Sequence, residues 1–191
     1  MSTNLEIEFK SKLLEEEYNS LLLKYSNQKS YSQTNYYIDD KNRSIISKKC
    51  GLRIREKDGC FELTLKVPSN DGKIEINQQI SNEIFKNLLN CNVFPIGEVK
   101  DFLTNNLKVK TDNLYVLGKL VTMRLDLNYK TSLISIDKSS YNSKIDYEIE
   151  CEDTSITSAK NNLLDFLKEN KIAFKQSSGN KLDRFLKTLK I

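Results

Sequence analysis

Several short stretches of this chain alternate strictly between apolar and charged residues, and that pattern admits little besides β-strands with one dry and one polar face. Residues 5–10 read Leu-Glu-Ile-Glu-Phe-Lys, so a strand there sets Leu5, Ile7 and Phe9 against Glu6, Glu8 and Lys10. Neighbours on one face stand about 7 Å apart, twice the strand rise. The arrangement returns with other charges. Arg53 and Arg55 oppose Leu52 and Ile54, and Glu62, Thr64 and Lys66 oppose Phe61, Leu63 and Leu65. Lys73, Glu75 and Asn77 oppose Ile74 and Ile76, while Arg124 and Asp126 oppose Met123, Leu125 and Leu127. Asp146, Glu148 and Glu150 oppose Ile145, Tyr147 and Ile149.

Helical patterns separate these strands. Residues 11–26 carry a stripe of Leu14, Tyr18, Leu21, Leu22 and Tyr25, with Ser11 as the expected cap. Further helices are predicted over 81–91, from Pro95 to about 105, over 154–170 and over 179–189. Lys57-Asp58-Gly59 and Tyr141-Asn142-Ser143 read as hairpin turns. The prediction is an α+β fold: an eight-stranded antiparallel β-barrel, a tunnel with a charged interior, with helices packed on the outside. At 191 residues the chain suits one domain, 1–191.

Water accounts for the polar face of any single strand. A run of solvated faces, however, ordinarily mixes Thr, Ser, Gln and Lys, whereas these positions are mostly Glu, Arg and Lys. Carboxylates dominate the first and last strands and cations the middle ones. That sorting favours an inside-out arrangement in which helices cover the apolar faces and the charged faces line a wet cavity. Unpaired charges buried there would be prohibitive, so the cavity is expected to hold a polyanion together with divalent metal.

The chain has no histidine, which excludes Ser-His-Asp and Cys-His catalysis and Cys/His zinc sites. Acid–base work falls to carboxylates, Lys, Tyr or metal-activated water, and oxygen ligands alone suit Mg²⁺ or Mn²⁺. The net charge of +4 is small for a general nucleic-acid binder. Cys50, Cys60, Cys91 and Cys151 form no CxxC pair and read as small buried thiols. The opening Met-Ser-Thr-Asn-Leu-Glu lacks a signal-peptide profile and no apolar run reaches membrane-span length, so a cytoplasmic protein is expected.

EIEFK resembles the ExExK signature of the CYTH superfamily, the triphosphate tunnel metalloenzymes. The likeness continues through NYYID, LRIRE, ELTLKVP, the Arg124 strand, SID at 135–137, DYEIE at 146–150 and a C-terminal helix with Lys181, covering nearly the whole chain. The resemblance implies metal ligation by Glu6, Glu8, Asp137, Glu148 and Glu150. It implies phosphate binding by Lys10, Arg53, Arg55, Lys66, Arg124 and Lys181, with Lys73 and Arg184 as further candidates, and a catalytic part for Glu6, Glu8 and Lys10. Tyr37 is expected to order a first-strand carboxylate or a water. The chain departs from the pattern at Lys-Ile-Glu-Ile-Asn, 73–77, where an Arg and two carboxylates are expected; Asn77 offers a neutral carbonyl instead.

The function so implied is metal-dependent hydrolysis of the terminal phosphoanhydride of inorganic triphosphate or of a small organic triphosphate such as thiamine triphosphate, with Mg²⁺ or Mn²⁺ as cofactor. The alternatives are a class IV-type adenylate cyclase, making cyclic AMP and pyrophosphate from ATP, and a non-catalytic polyphosphate or nucleotide binder. The expected partner is the small triphosphate itself, on a monomer or homodimer, with no stable nucleic acid and no membrane.

Overall fold

A computed structural model describes residues 2–70, 72–177 and 179–189; for Ser2–Asn4 only the backbone is considered. The chain gathers into two compact units: unit 1 comprises Met1–Glu6 and Gln33–Leu120, unit 2 Ile7–Ser32 and Val121–Ile191.

Unit 1 is an antiparallel sheet with two helices. Its strands are β1 (Ser2–Glu6), β3 (Tyr31–Asp39, from Gln33 onward), β4 (Gly51–Lys57), β5 (Cys60–Pro68) and β6 (Lys73–Ile80), in the order β1-β6-β5-β4-β3. The β4–β5 turn places Asp58 at φ 51° and Gly59 at φ 77°, the two positive values that a tight hairpin of this twist requires. Leu52, Ile54, Leu63, Leu65 and Ile76 are buried in one core with Phe85 and Leu88 of α2 (Asn82–Cys91) and Val99 and Leu103 of α3 (Glu98–Asn105). Ser81 caps α2 by accepting from the Ile84 N–H at 3.2 Å. Phe85 meets Phe61 with ring centroids 4.7 Å apart, which fastens the helix to the sheet.

Unit 2 has the same plan. Its strands are β2 (Glu8–Lys12), the part of β7 (Tyr115–Tyr129) from Val121 onward, β8 (Ser132–Tyr141) and β9 (Lys144–Glu152), in the order β7-β8-β9-β2. Leu125, Leu127, Ile134, Ile136, Ile149 and Cys151 pack with Tyr18 and Leu21 of α1 (Glu15–Lys24) and Ala159, Leu163, Phe166 and Leu167 of α4 (Ile156–Glu169). After α4 the chain returns along β2. The Lys12 N–H donates to the Lys175 carbonyl and the Lys175 N–H to the Ser11 hydroxyl, each at 2.9 Å, while Phe9 stacks on Phe174. That strap leads into α5 (Lys181–Leu186), which Asn180 and Asp183 cap reciprocally. Gly179 enters the turn at φ +86°, where a Cβ would lie 3.0 Å from the Asp183 carboxylate.

The fold class is antiparallel α+β with helices on the apolar faces, as expected, but the described residues form nine strands where eight were predicted. The opening strand breaks at Ile7: β1 pairs with β6 in unit 1 and β2 with β9 in unit 2. Ser11 is not a helix cap. It lies in β2, fully buried, and its hydroxyl is committed to Lys175. Helix α1 starts four residues later, where Glu17 accepts from the Leu14 N–H at 2.7 Å. Of the four thiols, Cys50 and Cys151 are buried, while Cys60 and Cys91 are exposed. No helix among the described residues is long and apolar enough to cross a membrane.

Candidate functional site

The polar face of each sheet holds an ion-pair lattice with little access to solvent. In unit 2, register dictates who meets whom. Arg124, Asp137 and Glu148 stand side by side on β7, β8 and β9, and Asp126, Ser135, Glu150 and Lys10 form the adjacent row across β7, β8, β9 and β2. Arg124 clasps Asp137 with two prongs, Nε to Oδ1 at 2.7 Å and Nη2 to Oδ2 at 2.5 Å, and reaches Glu150 Oε2 at 2.7 Å. Lys181, delivered by α5, touches Asp137 at 2.7 Å, Glu150 at 2.9 Å, and Glu148. Lys10 joins Glu150 at 3.0 Å to Glu8 at 2.7 Å.

Asp137 is inaccessible to solvent and the Glu148 side chain is 2 % exposed, whereas Lys10, Glu8, Arg124, Glu150 and Lys181 lie between 13 and 20 %. A solvated strand face would leave such groups far more open. Burial works against the Lys10 and Lys181 ammonium groups, but the surrounding carboxylates outweigh it and raise both pKa values above that of free lysine. Burial alone would raise the Glu150 carboxyl; Lys10, Lys181 and Arg124 instead hold it well below the usual carboxylate range.

One carboxylate oxygen from each of Asp137, Glu148 and Glu150 lies within 4.8 Å of the others. Glu148 Oε1 is buried and has no hydrogen-bond partner among the described residues; its contact with Lys181 lacks hydrogen-bond geometry. An all-oxygen, all-anionic donor set fits a hard dication such as Mg²⁺ or Mn²⁺. Glu6 and Glu8 are not in this group: Glu6 belongs to unit 1, and Glu8, in unit 2, pairs with Lys10.

Unit 1 brings Glu6, Lys66, Glu75 and Arg53 together. Lys66 contacts Glu6 at 2.6 Å and Glu75 at 2.7 Å, and Arg53 approaches Glu75 at 3.8 Å. Burial tends to raise the Glu75 carboxyl, but Lys66 and Arg53 prevail and lower it. Arg55 donates to Asn35 at 3.4 Å. Tyr37 stands opposite Arg53 in the β3–β4 register. Lys73 stands opposite Glu6 in register yet makes no ion pair with it among the described residues.

Arg184 is spoken for. Its Nε donates to Asp146 at 2.7 Å, Nη2 to Glu148 at 2.7 Å, and Nη1 to Ser177 at 3.2 Å and the Gly179 carbonyl at 2.9 Å. It ties α5 to β9 and orients the Glu148 carboxylate. Asp126 is likewise occupied, accepting from Tyr31 at 2.6 Å and Ser135 at 2.7 Å; burial and that bond push the Tyr31 hydroxyl up to about 12. Glu75, which sequence reasoning placed on the charged face without a task, is the hub of the unit 1 lattice, and the alternation of KIEIN was its signal.

The family model described as the CYTH domain matches residues 4–186. A Bacillus subtilis (strain 168) protein named "Putative triphosphatase YjbK" is 38% identical over 154 residues, 80% of this chain and 79% of that one. The crystal structure of a Bacillus halodurans protein described as a "putative adenylate cyclase" superposes with a TM-score of 0.89 at 33% identity, covering 97% of this chain and 99% of the other. A Hippeastrum protein, described as a "putative adenylyl cyclase" with a dominant triphosphatase activity, shares the fold at a TM-score of 0.82 and 22% identity, covering 98% of each chain.

Proposed function

The chain belongs to the CYTH domain family, and on that premise we propose that it is a divalent-metal-dependent triphosphatase that cleaves the terminal phosphoanhydride of inorganic triphosphate or of a small organic triphosphate. The observation that carries this reading is the buried trio Asp137, Glu148 and Glu150 interleaved with Lys10, Arg124 and Lys181. A site meant only to be stable would be better built from apolar residues of similar volume.

Asp137, Glu148 and Glu150 would hold the dication, Mg²⁺ or Mn²⁺. When bound, it supplies charge neutralisation at phosphate oxygens and a water of lowered pKa. Arg124 and Lys181 turn from carboxylates to phosphate oxygens as the polyanion enters. Lys10 does the same. In unit 1, Arg53, Arg55 and Lys66 offer cations of the same kind, and Lys73 lies on the neighbouring β6, opposite Pro68 of β5. Glu8 holds Lys10, and Glu6 holds Lys66, in place until phosphate takes them. Arg184, donating to Glu148, would orient that carboxylate for the dication.

A second reading, adenylate cyclase, is favoured by one observation: the Bacillus halodurans relative bears that description. Product analysis separates the two. Tripolyphosphate, thiamine triphosphate and ATP are each incubated with Mg²⁺ or Mn²⁺. The triphosphatase reading expects orthophosphate with pyrophosphate or the matching diphosphate; cyclic AMP with pyrophosphate from ATP supports the cyclase instead. Intact substrates together with tight tripolyphosphate binding would mark a non-catalytic binder.

A further inference from the structure

The charged face of the unit 1 sheet also carries polar atoms that the protein leaves unsatisfied. Arg53 on β4, Thr64 on β5 and Asn77 on β6 are direct cross-strand neighbours, so their side chains form one row on one face. Thr64 is fully shielded from solvent and Asn77 is 9 % exposed. Arg53 Nε, Thr64 Oγ1 and Asn77 Oδ1 are all buried without a hydrogen-bond partner among the described residues. Leaving a buried donor or acceptor unpaired costs folding free energy. Three in one row, beside a well-packed apolar core, point to an occupant that satisfies them together.

The chemistry of the row says what kind. Arg53 turns Nη2 toward Glu75 and leaves its Nε edge unengaged. A threonine hydroxyl donates in whichever direction it is rotated, and an asparagine amide presents its NH₂ instead of its oxygen by a half-turn about χ2. The row therefore offers three donors, one of them charged, and contains no carboxylate to repel an anion. In the next row the cation Lys66 faces Glu75 directly.

We propose that Arg53, Thr64 and Asn77 form a phosphoryl-binding subsite in which Arg53 Nε, the Thr64 hydroxyl and the Asn77 amide each hold an oxygen of one phosphoryl group. The inference rests on the triphosphatase reading and adds to it two neutral ligands, Thr64 and Asn77. Asn77, a departure from an acidic position, is what lets the row accept an anion.

The test uses the full chain and inorganic tripolyphosphate, with binding measured calorimetrically in EDTA so that nothing is hydrolysed. Thr64→Val keeps the side-chain shape and removes the donor; Thr64→Ser keeps the donor. The subsite requires roughly tenfold weaker binding in Thr64→Val, affinity within about twofold of wild type in Thr64→Ser, and a melting temperature in Thr64→Val at or above that of wild type. Wild-type affinity in Thr64→Val would overturn the subsite alone and leave water as the occupant. Weaker binding that tracks a lowered melting temperature, without rescue by serine, would overturn it in favour of a structural hydroxyl. No binding to wild type in EDTA would overturn this inference, whereas the triphosphatase reading fails only if tripolyphosphate stays intact with Mg²⁺ and Mn²⁺.

Discussion

Replacing Glu150 by glutamine keeps the shape of the side chain and removes the charge on which three cations converge. Glu150 Oε1 receives Lys10 at 3.0 Å and Lys181 at 2.9 Å, and Oε2 receives Arg124 at 2.7 Å. The side chain is 13 % exposed, so water does little of this work. Glutamine also turns an NH₂ toward Arg124 or Lys10, donor against donor. Breaking a buried pair from one side costs about 3–5 kcal/mol. The lower end applies, because Asp137, Glu148 and Glu8 continue to neutralise the same cations. About 3 kcal/mol in a chain of this size corresponds to a melting temperature lower by roughly 6–12 °C. The pH dependence has a definite sign. Glu150 is held well below its unfolded value in the native state, so its stabilisation is complete above the unfolded carboxyl pKa of about 4.3 and is lost as pH falls through the lowered folded value. The variant has nothing to lose there. Urea unfolding of both proteins in EDTA, at pH 7 and at successively lower pH below 4, therefore shows a large gap that closes toward acid. A variant as stable as wild type at pH 7, or a gap that widens in acid, refutes the reasoning.

Arg184→Met lowers the melting temperature and detaches α5, since Asp146 and Glu148 both lose their guanidinium partner; Arg184→Lys, with one charge and no fork, falls between the two on thermal melts. Mg²⁺ and tripolyphosphate bind interdependently, because the dication needs the carboxylates that Lys10, Arg124 and Lys181 now occupy and the polyanion needs those cations. Calorimetry is expected to show each raising the affinity for the other by the same factor; independent binding would contradict the exchange of partners.

Much of this was legible before the structure, because alternation is a local property that burial of one face enforces. The strands over 52–56, 60–67, 73–80 and 144–151 appear within a residue or two of expectation. What alternation does not report is a break that preserves it. LEIEFK alternates straight through Ile7, yet Glu6 pairs with β6 in unit 1 and Glu8 with β9 in unit 2. Ser11 preceding a run of glutamates has every local mark of a helix cap, and a tertiary hydrogen bond to Lys175 overrides it. Arg184 reads as a free cation one turn beyond Lys181; only the fold reveals that Asp146 and Glu148 consume its guanidinium. Residue type names the charge, and register decides who neutralises it.

Tripolyphosphate hydrolysis by wild type and Glu148→Gln, measured side by side in Mg²⁺ and in Mn²⁺ with melting curves to show that the variant is folded, is the most direct measurement. Wild type is expected to release orthophosphate and pyrophosphate in equal amounts, and Glu148→Gln to retain less than about a hundredth of that rate, on the scale of losing a catalytic electrostatic group. A folded Glu148→Gln that turns over at the wild-type rate would contradict the assignment of the buried carboxylates to the metal, and a wild type that leaves tripolyphosphate intact would contradict the triphosphatase.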